Sequence, residues 1–290
     1  MSSSAAPAAR EQSRPHASML PAAAFYIVFF ALPTLCLFVL SFWTADGFQL
    51  IPGFTLGNYE KIFTSPLYRA LMIRTIGVAF VTTAIVVPIA FAVSFLMRFV
   101  FERRGQFILQ MVLLSLFSGY LVRIYAWRTI LGKQGLLNST LQWLGVIREP
   151  LDFLIYSNFA VVVTLSGLLL PLAVLPLYSA MLNIGRDDIE AARDLGAGRL
   201  HVLRTVLLPM AMPGVRTAFA FSFLLSAGDF VTPSLVGGAQ SLLIGNIISD
   251  QFRGIGSNWP LGAAMAFVVI AVMLASYLIV MRLIRWVTTW

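Results

Sequence analysis

The stretch Asp187-Asp188-Ile189-Glu190-Ala191-Ala192-Arg193-Asp194-Leu195-Gly196-Ala197-Gly198-Arg199-Leu200-His201-Val202-Leu203-Arg204-Thr205-Val206-Leu207-Leu208-Pro209 decides how this chain is read. Six of its first thirteen residues are charged, in a chain where only 11% are. Asp187 and Glu190 stand three apart, the spacing of a capping box with Asp in the Ser/Thr role. Acids at a helix start also suit the positive end of its dipole. Ile189, Ala192 and Leu195 would then share a face, and Gly196 is placed to end the helix in the left-handed region. A second helix would show Leu200, Leu203 and Leu207 on one side, with Pro209 marking its end or a kink. Such a helix–glycine turn–helix has two readings. It is an amphipathic hairpin packed against its neighbours, or it is a docking element. In the second reading small Ala191 and Ala192 allow close approach, and Glu190 offers a carboxylate to a partner's cation.

The surroundings of this stretch are far less polar. Across 290 residues, 59% are apolar and the mean hydropathy is +0.87. Soluble domains run near 45–50% apolar and about 25% charged. The composition excludes an ordinary soluble enzyme, a disordered chain and a nucleic-acid binder. A membrane-crossing helix needs about 20 apolar residues. Six runs qualify, near 20–43, 71–98, 106–128, 156–182, 210–232 and 261–285. The fold class is therefore an all-α membrane protein with six transmembrane helices. Residues 1–19 are rich in Ser, Ala and Pro and are expected to form a disordered tail before a transmembrane domain over 20–290. The first run is too long for a signal-peptide core and has no small-x-small site after it, so it is read as an uncleaved span.

Charge sets the expected orientation. Six spans place both termini on one side. That side collects Arg10, Arg14, Arg98, Arg103, Arg104, Arg186, Arg193, Arg199, Arg204, Arg216, Arg282 and Arg285. The opposite side has Lys61, Arg69, Arg74, Lys133, Arg148 and Arg253. Basic residues concentrate in cytoplasmic loops, so both termini and the stretch at 187–209 are expected to be cytoplasmic. The loops 44–70, 129–155 and 233–260 would face outward. Within them, Asn58–Phe63 and Leu141–Leu144 look like short interfacial helices whose aromatics anchor at headgroup level.

Reactive chemistry is scarce. The sequence has no Gly-x-x-x-x-Gly-Lys-[Ser/Thr] phosphate loop, since Gly132-Lys133 lacks the leading glycine and the hydroxyl residue. His16 and His201 are distant, Cys36 stands alone, and no metal-ligand cluster or nucleophile–base set is evident. Energy for any directed process would have to come from a partner, through the charged loop.

That loop resembles the EAA loop of ATP-binding-cassette importer permeases. Glu190-Ala191-Ala192, Gly196 four residues on, and Leu208-Pro209 match the pattern, with Val206 where Ile is usual. The resemblance covers the chain from about residue 20 onward and implies the type I importer permease fold. It implies that Glu190, Ala191, Ala192, Gly196, Leu208 and Pro209 couple to an ATPase. The implied partners are an ATP-binding-cassette ATPase dimer holding ATP and Mg, a second homologous permease, and a periplasmic or lipid-anchored binding protein. The implied location is the bacterial inner membrane. The chain itself would carry no cofactor or metal.

Shorter motifs narrow the subfamily. Arg123-Ile124-Tyr125-Ala126-Trp127 before Gly132-Lys133-Gln134-Gly135 is similar to spermidine/putrescine-type permeases. So are Leu175-Pro176-Leu177-Tyr178-Ser179-Ala180, and Gly228-Asp229-Phe230-Val231-Thr232-Pro233 before Gly237-Gly238. Permeases for opines and aminoethylphosphonate share much of this pattern. A gradient-driven secondary transporter is the reading from another class, but it calls for an internal repeat with paired broken helices.

Ionisable groups at membrane depth are costly and by default functional. Asp229 is the one acid inside the six runs, after a Gly228 that allows a local break. A carboxylate there suits an ammonium-bearing solute, and Tyr125, Trp127 or Trp259 would offer aromatic faces to a cation. The alternative for Asp229 is a helix cap or an ion pair with Arg123 or Arg128. The aromatics have the alternative of anchoring at the interface.

Overall fold

Apolar segments can satisfy their backbone groups inside a membrane only as helices or closed barrels. The computed structural model is accordingly helical, and it describes residues 21, 24–47, 49–253 and 257–288. The tail expected over 1–19 lies outside the described residues. The elements are α1 (Ala24–Leu40), a hairpin of β1 (Thr44–Asp46) and β2 (Gln49–Ile51), α2 (Gly57–Thr64) and α3 (Pro66–Val100). They continue with α4 (Glu102–Phe117), α5 (Tyr120–Leu131), α6 (Leu136–Trp143) and α7 (Asn158–Leu182). The last are α8 (Arg186–Asp194), α9 (Arg199–Gly228), α10 (Ile244–Arg253) and α11 (Trp259–Thr288).

Among the described residues, four helices are long and apolar enough to cross a membrane: α3, α7, α9 and α11. Helix α1 is shorter. The run expected to be one span over 106–128 is interrupted. Ser118 and Gly119 are extended, and the helical segments on either side meet at 98°. Gly119 starts a new helix there instead of continuing the old one. The fifth run also stops early, at Gly228, with Asp229 extended. Pro209 neither ends nor breaks α9. A widened turn at Leu203–Leu207, in which the Leu208 N–H donates to the Leu203 carbonyl, precedes it. Such a π-type turn makes room for a ring that has no N–H to give.

Helices α3, α7 and α9 form the centre. Their seam holds Val86, Ala90, Ala173, Val174, Leu177 and Ala218, all buried. In lipid the hydrophobic effect does not press helices together, so small residues that permit close packing do much of the work. At Gly214 a Cβ would lie 2.6 Å from the Pro176 carbonyl oxygen and 2.7 Å from the Ala180 Cβ. Helix α11 closes a second cluster through Val269 and Met273 against Phe219 and Phe223. On the loop side of the membrane Arg98 donates to the carbonyls of Met181 (3.3 Å) and Ile184 (3.2 Å) at the end of α7. The short helices expected near Asn58 and Leu141 are α2 and α6. Tyr59 is more than an interfacial anchor, because its hydroxyl lies 2.7 Å from Ser41 Oγ and ties α2 to the end of α1.

Trp127 lies flat on Gly167 of α7, where a Cβ would approach its indole to 2.4 Å. Gly167→Ala should therefore destabilise the protein by about 1–3 kcal/mol through overpacking. Thermal unfolding of the purified protein checks this, and an unchanged midpoint would show that the indole can slide away.

Candidate functional site

The loop between α7 and α9 is built by local rules, although not by the residues the spacing suggests. Helix α8 begins two residues earlier than expected. Gly185 precedes it in extended conformation and donates its N–H to the Asp188 carboxylate at 3.0 Å. Only the Asp188 half of a capping box is made, since Gly185 has no side chain to accept in return, and Asp187 and Glu190 take no part in it. At the other end Gly196 takes φ +83°. Its N–H donates to Arg193 O (2.8 Å), and the Ala197 N–H donates to Ala192 O (3.0 Å). These are the paired bonds of a Schellman motif, which needs a left-handed residue at that position.

Ile189 anchors α8 against Met181, Ile184, Val202, Leu207 and Ala211, with Ala192 packed beside it. Leu195 does not join that face and is 89% exposed. Six residues past Ile189 is about 600° around a helix, roughly 120° off the Ile189 direction, so Leu195 points away from the buried side. Glu190 and Ala191 are exposed, and Leu200 across the turn is 59% exposed. Leu208 and Pro209 lie further along, in α9. The motif therefore divides: Glu190, Ala191 and the Gly196 turn form an accessible tip, Ala192 packs on the supporting core, and half-buried Leu208 and exposed Pro209 stand apart in α9.

At membrane depth the two helix breaks meet around one cavity of about 420 Å³. Tyr120 and Arg123 line it from α5, Leu165 and Leu168 from α7, and Gly228, Asp229 and Phe230 from the end of α9. Asp229 is 9% exposed. One carboxylate oxygen accepts from the N–H groups of Val231 (2.8 Å) and Thr232 (3.2 Å), and the other accepts from the Thr232 hydroxyl. Asp229 caps the turn after the break, as the capping alternative holds, and has no ion pair with Arg123 or Arg128. Arg123 donates to the Leu168 carbonyl at 3.3 Å, and its buried Nε has no acceptor among the described residues. Arg128 donates to the Tyr156 hydroxyl at 3.3 Å. A carboxylate has about four acceptor positions. Three at Asp229 are used and the Tyr120 hydroxyl stands beside the fourth, so the cavity presents that one position, shared with Tyr120, and the guanidinium of Arg123.

The three aromatics are not brought together. Trp127 is packed into the core beside Val161 and Leu165. Tyr125 is half exposed near Arg128 and Tyr156, outside the Asp229 cavity. Trp259 stands near Ala45 and Ser257 beside the β-hairpin. Sequence reading missed Tyr120, whose hydroxyl lies 3.3 Å from Thr232 Oγ1. The Ser118-Gly119 pair was the available signal. It also missed Asn246, which donates to Phe230 O (2.8 Å) and Ser234 Oγ (2.7 Å) and accepts from the Leu243 N–H (2.9 Å). Phe230 and Ser234 are 16 and 12 residues away, and no spacing rule finds them.

Asp229→Ala should cost about 1–2 kcal/mol, the value of a cap, and Asp229→Asn should cost less because the amide oxygen still accepts. Thermal melts of the two variants check the order. Equal losses would show that charge, rather than acceptor geometry, holds the break.

Comparison with known proteins agrees with this architecture. Residues 21–289 match the family described as "binding-protein-dependent transport system inner membrane component". The chain is 35% identical over 244 residues to the spermidine/putrescine transport system permease protein PotB of Haemophilus influenzae, covering 83% of this chain and 84% of that one. It is 33% identical over 248 residues to PotB of Escherichia coli K12, covering 85% and 89%. The fold is similar, at TM-score 0.75 and 17% identity over 94% of each chain, to a bacterial alginate ABC transporter solved with a periplasmic protein bound to an alginate pentasaccharide. A match over nearly the whole chain, with helices long and apolar enough to cross a membrane, settles the family. The chain belongs to the inner membrane components of binding-protein-dependent transport systems.

Proposed function

We propose that this chain is one permease half of an ATP-binding-cassette importer that moves a polyamine, spermidine or putrescine, into the cell. The polyamine relatives over more than four-fifths of the chain carry the substrate reading. The accessible tip at Glu190, Ala191 and Gly196 supports the coupling reading. In this scheme the loop and both termini face the cytoplasm. The bent α4–α5 pair and α1 complete six crossings with the four long helices.

The ATPase dimer, with ATP and Mg, docks on the tip. Leu195 and Leu200 supply apolar contact and Glu190 the charged one. Closure of the ATPase moves α8. Ile189 ties α8 to the ends of α7 and α9, so the motion passes into α9, which runs unbroken from Arg199 to Gly228. Its far end is the Asp229 break, where the cavity lies. Opening or closing there alternates access to the solute. Asp229 gives its remaining acceptor position to an ammonium. Arg123 offsets that single charge, so a di- or tri-cation needs acids from the second permease. A binding protein delivers the solute from outside. Opines and aminoethylphosphonate are the competing substrates.

Glu190→Arg and Gly196→Leu should each lower binding-protein-stimulated ATPase activity by roughly tenfold or more, the first because like charges facing each other cost several kcal/mol, the second because a leucine is strained at φ +83° and would distort the tip. The assay uses the assembled complex in liposomes. Unimpaired hydrolysis and transport in both would remove the loop from coupling. Asp229→Asn should reduce labelled spermidine uptake with the complex intact. Uptake of aminoethylphosphonate but of no polyamine would reassign the substrate.

A further inference from the structure

The loop end of the molecule holds a second, larger cavity of about 860 Å³, between α8 and the end of α3 and apart from the Asp229 cavity. Its floor is the end of α3, with Phe91, Phe95, Leu96, Phe99 and Val100. Its upper edge carries Arg186, Arg193 and Arg199, with Glu190 as the one acid among the lining residues.

Two features say what would sit there. The floor continues along α3 as an exposed apolar row of Ile85, Ile89, Ala92, Leu96 and Val100, at steps of three or four residues. Such steps lie on one side of a helix, so the groove opens into an apolar strip the length of an acyl chain. At the loop end of that strip stand Arg193 and Arg199, two guanidinium groups able to pair with an anionic headgroup. An apolar trough below and a basic edge above are complementary to one ligand class.

We propose that this groove binds an anionic phospholipid, its acyl chain on the phenylalanine floor and its phosphate between Arg193 and Arg199. Basic pockets between membrane helices hold acidic headgroups in this manner. The bound lipid would brace α8 against α3, so membrane composition would bear on how firmly the loop is held.

Native mass spectrometry of the delipidated, assembled importer tests this, with phosphatidylglycerol and phosphatidylethanolamine as probes. Phosphatidylglycerol should be retained preferentially, and Arg193→Gln/Arg199→Gln should weaken it about 25-fold, near fivefold per arginine. Equal retention of the two lipids, or undiminished phosphatidylglycerol binding by the double variant, overturns the proposal. Should the double variant fail to assemble, a photo-crosslinking residue at Phe95 in the otherwise unaltered complex decides. A crosslink to lipid supports the proposal. A crosslink to the ATPase or to the second permease assigns the groove to a protein contact and overturns it.

Discussion

The structure depends on what happens to backbone polar groups where a helix stops inside an apolar medium. An unpaired N–H or carbonyl there costs several kcal/mol, so each break needs local side-chain partners. Asp229 supplies them after Gly228, accepting from two N–H groups and a hydroxyl. Asn246 completes the arrangement by taking the Phe230 carbonyl and the Leu243 N–H. Arg74 donates to the Gln240 carbonyl, and Thr75 Oγ1 accepts the Ile244 N–H at 3.0 Å. The irregular segment from 229 to 246 is thereby fixed to α3, α9 and α10 together. A cavity can exist beside it because the backbone that forms its wall makes its hydrogen bonds elsewhere.

Much of this was legible in the sequence, for identifiable reasons. The runs that became α3, α7 and α11 are long and nearly free of charge, and no other structure suits them. Gly196 had the spacing of a helix end, and its φ of +83° is the conformation that glycine adopts at least cost. The bend at Ser118-Gly119 was missed because hydropathy is indifferent to direction: both halves are apolar, and one small pair turns them by 98°. Asp187 and Glu190 misled because Gly185 can precede a helix as well as Ser or Thr can, and Asp188 stands at the right offset from it. Trp127 looked like a ligand-facing aromatic. Whether an indole faces a cavity or a glycine on another helix depends on residue 167, forty positions away.

The two carboxylates singled out by their rarity have opposite environments. Glu190 is exposed at a tip among Leu195 and Leu200, with its helix held from beneath by Ile189 and Ala192. Asp229 is buried and nearly saturated with local hydrogen bonds. The first suits a contact with something outside the chain. The second shapes the wall of a space within it, and any part in holding a solute is shared with that structural duty.

Helix α9 links the two. Its proline at 209 is absorbed by the widened turn before it, and the helix continues through a second proline, Pro213, to Gly228. Gly214 seats its middle against Pro176 and Ala180 at very short range. That contact lies 15 residues from Arg199 and 14 from Gly228, so it divides the helix into two nearly equal arms. A helix rocking on such a pivot would move its far end as far as its near end and in the opposite sense, so a push below would reach Gly228 reversed in direction and neither amplified nor lost.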